Sequence, residues 1–405
     1  MFSADDGSLD FYKRMSAPAA GDAFEGKTAT DVYTGFDKEK YDIQTTSDTG
    51  ANDWTCESLP WWNRREQVKT TTVKDEGIRP IAMQGWFMRM DDLEIADLKK
   101  LDCANCGSAW ACFLRCPSLV ELASPSSFHP TDLSDFLYCC EKLEKLDSGT
   151  WDLSRCERLS WALTRCRSLT GIPGVETWDT SSVRDMPGLF CGCENVESID
   201  VSHFDTSSVA DFESMFRQCS SLSEIDASRF ETSKARNMSS MFQGCSSLAR
   251  LDASSFTTDN VKTMNSMFAG CSSLSGLDLS SFDTKNVEDM QLMFYGCTSL
   301  ENLDLTLFNA DSLQTASRMF DYCERLSEVK LGSGFRWIGD DGFLPTPQTK
   351  FVDGATGNWA RLEDGAVFAP SEIPDNAAGT YRAQVDGGII STTLSGTPVV
   401  GQTLT

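Results

Sequence analysis

Residues 103–116 read CANCGSAWACFLRC and bring four cysteines into fourteen positions. A CxxC pair followed by two further thiols is a spacing with which thiolates surround zinc, and it is equally the raw material of a disulfide. Other side chains able to do chemistry are sparse. Of the two histidines, His129 falls in a turn and His203 near a strand end, and neither stands in a recognisable nucleophile motif. No P-loop, GxSxG elbow, HExxH or dinucleotide fingerprint occurs. Carboxylates are plentiful, 60 acidic against 35 basic residues for a net charge of −25, so their abundance marks no site. The expectation is a protein without catalytic residues, cofactor or metal. A chain this acidic repels nucleic acid and anionic membrane.

What must position these cysteines is a repeat. The sentence MFQGCSSLARLDASSF from Met241 returns as MFAGCSSLSGLDLSSF from Met267 and MFYGCTSLENLDLTLF from Met293. Cys193, Cys219, Cys245, Cys271, Cys297 and Cys323 keep a spacing of 26, and Cys166, Cys140, Cys116 and then Met90 hold the same slot upstream. About ten copies run from residue 78 to 333. In each copy, apolar residues such as Val261, Met264, Met267 and Phe268 form a stripe that predicts a short helix. Asp, Thr and Asn ahead of it, as in FDTKN from Phe282, are suited to cap that helix, and Gly244, Gly270 and Gly296 to end it. The second half alternates, with Leu277 and Leu279 inward and Asp278 and Ser280 outward, and predicts a strand. One strand and one helix per copy at this period make an α/β solenoid of the leucine-rich-repeat kind, with Phe204, Phe230, Phe256, Phe282 and Phe308 as one apolar spine and Phe216, Phe242, Phe268, Phe294 and Phe320 as another.

The pattern V-x-x-M-x-x-M-F-x-G-C-x-x-L-x-x-L-D-L-S-S-F-D-T resembles the BspA-type leucine-rich repeats of bacterial surface proteins, most closely between residues 183 and 331. The final TLSGTPVVGQTLT resembles the first strand of a bacterial immunoglobulin-like module. The resemblance implies secretion, display at the cell surface and binding of host proteins, with no catalytic site. It divides the chain into an N-terminal region and cap (1–77), the solenoid (78–333), a C-terminal cap (334–385) and the start of the immunoglobulin-like module (386–405). The opening MFSADDGSLDFYKR has neither the basic nor the apolar segment of a signal peptide, so a surface location expects that segment and a wall anchor elsewhere in a longer protein. No run of eighteen apolar residues is present, and no membrane insertion is expected.

The register also reads the cysteines. Counted from Met90, Cys106, Cys112 and Cys116 take slots that Val, Met and Cys fill in later copies, and Cys156 takes the Val slot of its own. Twelve of the sixteen cysteines are thereby assigned as small buried hydrophobes, leaving Cys56, Cys103, Cys139 and Cys191. Zinc would need three register-buried thiols to leave the core, and a disulfide at Cys103 lacks an obvious partner. WTCESLPWW at 54–62 is either a sugar-stacking surface or an apolar lid over the first coil, and solenoid ends need such lids.

One face remains for binding. Seven residues past each cysteine, Asp200, Asp226, Asp252, Asp278 and Asp304 line up, with Asp147 and Asp97 further up, while five past it the column varies through Ser198, Glu224, Arg250, Gly276, Asn302 and Glu328. The Asp column is either a ladder bonded to Ser202, Ser228, Ser254, Ser280 and backbone, or a groove for a basic partner. With Glu224, Arg250 and Asn302 it forms the candidate partner-binding surface, for a host or neighbouring-cell surface or matrix protein, on a monomeric solenoid. A spacer that merely displays other domains is the rival.

Overall fold

The computed structural model describes residues 1–14, 16–34, 44–45, 54–339, 341–386 and 388–389. It is a solenoid of about ten coils, each contributing one short strand or its equivalent to a face that runs along the array, where the regular ladder is broken into three sheets. Strands Ser8–Phe11, Thr70–Val73, Ile95–Asp97, Glu121–Ala123 and Lys145–Leu146 lie side by side in parallel. Glu224–Asp226 pairs in parallel with Arg250–Asp252, and Asn302–Leu305 with Glu328–Leu331. The outward, inward, outward alternation places Glu224 and Asp226 in solvent and Ile225 in the core. The coils at 198–200 and 276–278 keep that alternation without the regular ladder.

The helix expected in each coil is absent, and the solenoid is not of the α/β kind. Among the described residues, helical structure is confined to short 3-10 segments, Trp62–Gln67, Val175–Thr177 and Pro370–Glu372. The Val-Met-Met-Phe segment is instead a ribbon of successive tight turns. Met241, Gln243 and Cys245 donate their N–H groups back three residues, to Met238, Ser240 and Phe242, at 3.3, 3.1 and 3.1 Å. The alternate N–H groups of Met238, Ser240, Phe242 and Gly244 reach the next coil instead, at Thr263, Asn265, Met267 and Ala269, over 3.0, 2.7, 2.9 and 2.7 Å. Each coil turns through two left-handed residues, such as Ser240 at φ 57° and Gly244 at φ 76°. An α-helix needs an unbroken run of right-handed residues, so two left-handed ones four apart forbid it. A stripe with steps of three suits a chain of three-residue turns as well as a helix. A line of single parallel bridges, Ser108↔Asp132 through Asp289↔Thr315, adjoins this ribbon along the array.

The threonines expected to cap helices bridge coils. Thr206, Thr232, Thr258 and Thr284 are fully buried and donate to the carbonyls of Glu231, Thr257, Asp283 and Asn309 at 3.0, 2.9, 2.8 and 2.9 Å. Buried hydroxyls are tolerated because each has a partner.

Between sheet and ribbon run the two aromatic spines. Phe216, Phe242, Phe268, Phe294 and Phe320 stack at 5.6–5.8 Å between centroids. Phe230, Phe256 and Phe282 stack at 6.2–6.3 Å. Upstream, Phe204 stacks on Trp178 at 6.2 Å and Trp178 on Trp151 at 5.4 Å. Both ends are closed. At the first coil, Trp61 packs on Phe11 and Trp86 at 5.5 and 5.7 Å, and its indole N–H meets the Trp86 carbonyl at 2.6 Å, so WTCESLPWW supplies a lid. At the last, Gly379–Val385 pairs antiparallel on Glu328–Leu331, Ala355–Arg361 pairs on Gly379–Val385, and Val367–Phe368 closes the sheet. Of the segment 386–405 read as an immunoglobulin-like start, all but residues 386 and 388–389 lies outside the described residues.

Candidate functional site

The period-two strand turns the fifth and seventh residues after each cysteine slot outward and buries the sixth, because the sheet has one apolar face. Asp200, Asp226, Asp252, Asp278 and Asp304 are all exposed, as are Glu224, Arg250 and Asn302. The structure brings these eight residues onto one face. Glu224 stands in register with Arg250, and Asp226 with Asp252.

Each aspartate is held by its own coil. Oδ1 of Asp200 accepts the backbone N–H and hydroxyl of Ser202 at 3.1 and 2.7 Å. Asp226 does the same with Ser228 at 3.1 and 2.6 Å, and Asp252 with Ser254 at 3.0 and 2.6 Å. Asp278 accepts the Ser280 N–H at 2.9 Å, and Asp304 the Thr306 N–H and hydroxyl at 3.1 and 2.7 Å. This is an Asx turn that stops the strand. The serine hydroxyl, then the serine N–H, holds the Asp200, Asp226 and Asp278 carboxyls below the ordinary carboxylate range. At Asp304 partial burial works the other way, and Thr306 with Lys330 outweighs it. These four carboxylates are therefore charged at neutral pH, and Oδ1 of all five aspartates is occupied.

The column has ends that the sequence reading left open. Pro173 takes the slot upstream of Asp200, and Lys330 takes the one downstream of Asp304. Lys330 Nζ pairs with Asp304 Oδ2 at 3.1 Å. Beside it, Arg382 of the C-terminal cap pairs with Glu328 at 2.7 Å. The signal for Lys330 was present in the register, seven residues after Cys323. Arg382 carries no repeat and needed the tertiary pairing.

All sixteen cysteines are free thiols. The slot cysteines donate to a ribbon carbonyl one coil back, that of phenylalanine for Cys219 to Phe190, Cys245 to Phe216 and Cys271 to Phe242 at 3.2, 3.0 and 3.1 Å, and that of leucine for Cys166 to Leu137 and Cys193 to Leu163 at 3.4 and 3.3 Å. Burial pushes the Cys245 and Cys297 thiols up to about 12. Cys103, Cys106, Cys112 and Cys116 are all buried. Among the described residues, no group of three or more His, Cys, Asp or Glu side chains is arranged to hold a metal ion. His129 Nδ1 lies 3.5 Å from Asp152, and His203 packs edge-on against Phe204 at 5.1 Å.

The fold and its repeat define a solenoid with leucine-rich-repeat proteins among its structural neighbours. Residues 131–250 and 222–331 match the family described as "Mycoplasma protein of unknown function, DUF285". Among solved structures, the chain is similar to a leucine-rich cell surface protein from Faecalibacterium prausnitzii A2-165, at 17% identity over 67% of this chain and 74% of that one with a TM-score of 0.38. It is also similar to leucine-rich repeat proteins of Bacteroides ovatus (20% identity, 65% of this chain and 79% of that one, TM-score 0.30) and Eubacterium ventriosum (15%, 71% and 84%, TM-score 0.26). No curated protein matches the sequence. No helix among the described residues is long and apolar enough to cross a membrane.

Proposed function

We propose that this chain is a non-catalytic recognition and adhesion module of a secreted bacterial surface protein, and that its exposed sheet face binds a basic patch on a host or neighbouring-cell protein. The observation that supports the reading is the exposed five-residue aspartate column, in which Oδ1 of each member closes its strand and only Asp304 commits Oδ2 to an ion pair, with Lys330. Closing the strand does not require the charge, because asparagine would accept the same two hydrogen bonds. Neighbouring carboxylates one strand apart, about 4.8 Å, repel by roughly 1 kcal/mol or less in screened water. The column thus keeps charge at a small cost to folding. Beside it the varying column of Glu224, Arg250 and Asn302 offers discrimination among partners. BspA-type repeats, surface display and the immunoglobulin-like continuation rest on the resemblance of the repeat and of residues 393–405.

The test is binding of the full chain to purified extracellular matrix proteins that carry basic patches, across a salt series. Wild type binds with an on-rate that falls steeply with salt. The variant Asp226→Asn, Asp252→Asn, Asp278→Asn folds normally and binds more weakly, with a flatter salt slope. Undiminished binding by the variant sinks the proposed face. A spacer is the second reading, favoured by the closure of each Asp–Ser pair within its own coil; it expects no binding to any of these proteins.

A further inference from the structure

The solenoid repeats one turn at the end of the sheet half of its coil, and that turn brings two side chains together. In later coils the pair is Thr and Val or Ala: Val209 N–H bonds to the Thr206 carbonyl at 2.9 Å, Ala235 to Thr232 at 2.9 Å and Val261 to Thr258 at 3.0 Å. In the coil that begins at Met90 the same two slots hold Cys103 and Cys106, and the Cys106 N–H bonds to the Cys103 carbonyl at 3.1 Å. A closed turn of this kind keeps its first and fourth Cα atoms within about 7 Å, the range a disulfide spans. Both thiols are fully buried at the two ends of this turn. Cys103 Sγ also lies 3.4 Å from Met83 Sδ, and Cys106 Sγ lies 3.7 Å from the Ser108 carbonyl. Asn105, between the cysteines, is exposed and Ala104 is half-buried, so only one turn of chain separates the thiols from solvent.

We infer that Cys103 and Cys106 form a reversible redox pair, a dithiol that low-molecular-weight disulfides convert to an intraturn disulfide. The Cys106 thiolate attacks one sulfur of the small disulfide R–S–S–R, forming a Cys106–S–S–R bond and releasing RS⁻, which takes up the proton that Cys106 lost. Cys103 then attacks Cys106 Sγ, giving its proton to the second departing RS⁻. Two protein thiols and one small disulfide become one protein disulfide and two small thiols, with two electrons passing outward. The pair is asymmetric in the sense this order requires. The hydrogen bond from Cys103 holds the Cys106 thiol below its usual range, while burial pushes Cys103 up. Cys116 and Cys140 hold the same slot in neighbouring coils and are the rival pair. Those two thiols already donate to the Phe87 and Phe113 carbonyls at 2.9 and 3.1 Å, and bridging them would strip two bonds from the core.

The inference stands apart from the proposed binding face and is tested separately. The reduced full chain is incubated with oxidised glutathione, quenched with an alkylating reagent, unfolded, and read by intact mass and peptide mapping. The expected result is the loss of two of sixteen alkylatable thiols, a cross-link that maps to Cys103–Cys106, and full recovery with a dithiol reductant. The variant Cys103→Thr, Cys106→Val carries the residues that other coils place in these slots, so it keeps the wild-type melting curve and takes no cross-link. Sixteen alkylated thiols after oxidation, a link at Cys116–Cys140, or equal oxidation of the variant each overturn the inference.

Discussion

A slot cysteine does two things where a valine would do one. Cys245 fills a core position and also gives an S–H to the Phe216 carbonyl at 3.0 Å, a second bond on a group that already accepts the Cys219 N–H at 3.1 Å. That arrangement has a pH signature. Burial holds Cys193, Cys245 and Cys297 up to about 12, whereas the unfolded chain ionises them near its ordinary thiol value. The folded state keeps protons that the unfolded state surrenders, so stability present below about pH 9 is lost between about pH 9 and 12, at about 1.4 kcal/mol per thiol per pH unit. Calorimetric melting temperatures from pH 8 to 10.5 should fall, and the triple Cys→Ala variant at these positions should show a shallower slope. Native-state alkylation should leave the same three thiols untouched. The spines make a second residue-scale prediction. Phe256 is fully buried between Phe230 and Phe282, so Phe256→Ala should cost about 3–5 kcal/mol in denaturant unfolding. Where tryptophan replaces phenylalanine, the preceding coil adapts. Trp151 and Trp178 donate their indole N–H to Ser124 and Ser148 at 2.9 and 3.1 Å, in slots where later coils carry Val201, Ala227 or Ala253. That exchange is visible in the sequence once the partner slot is known, and not before.

At the scale of the element, the turn ribbon explains both what the repeat tolerates and where it fails. Its first left-handed residue is Ser214, Ser240, Ser266 and Leu292 in successive coils, at φ 56°, 57°, 56° and 59°, so a side chain is accepted there. Gly188 occupies the same slot at φ 60°, and a Cβ on it would meet the Trp161 ring at 1.9 Å. The glycine is required by its neighbour more than by its backbone. Gly188→Ala should therefore destabilise by about 1–3 kcal/mol, and adding Trp161→Ala should recover most of the clash in a double-mutant cycle of melting curves. A cycle that proves additive would show the glycine serving φ alone. The ribbon was misread as a helix because steps of three and four look alike over eight residues. The second left-handed position is glycine in several copies, which also ends helices, so the punctuation agreed with the wrong element.

At the scale of the molecule, two caps and one charged face stand out. Each coil buries its apolar edges only against a neighbour, so the ends depend on other chain. Trp61 is buried over the first coil against Phe11 and Trp86. Trp61→Ala should lower stability by about 3–5 kcal/mol and should expose the N-terminal coils to proteolysis first, read as early cleavage ahead of residue 150. At the far end Lys330 and Arg382 meet Asp304 and Glu328, so the negative face is bounded and does not run to the cap. The face is a line of charge, and its partner's salt dependence is the property that measures it.

Periodicity is a local property of sequence, and the number of coils, the identity of the buried residues, the two spines and the outward Asp column were all legible from it. A residue at a fixed slot meets the same residue one coil away, so register alone assigns burial. Hydrogen bonding across coils is a different matter. The N–H of Ser240 bonds to Asn265, the hydroxyl of Thr232 to Thr257 and the thiol of Cys245 to Phe216, over separations of 25 to 29 residues. Any local rule offers each of these donors a nearer partner in a helix or a cap. Stacking the coils at strand spacing supplies acceptors from the next coil that are better placed, and the backbone takes two left-handed turns to reach them. The choice of ribbon over helix, and of thiol as donor as well as filler, was therefore decided by tertiary structure.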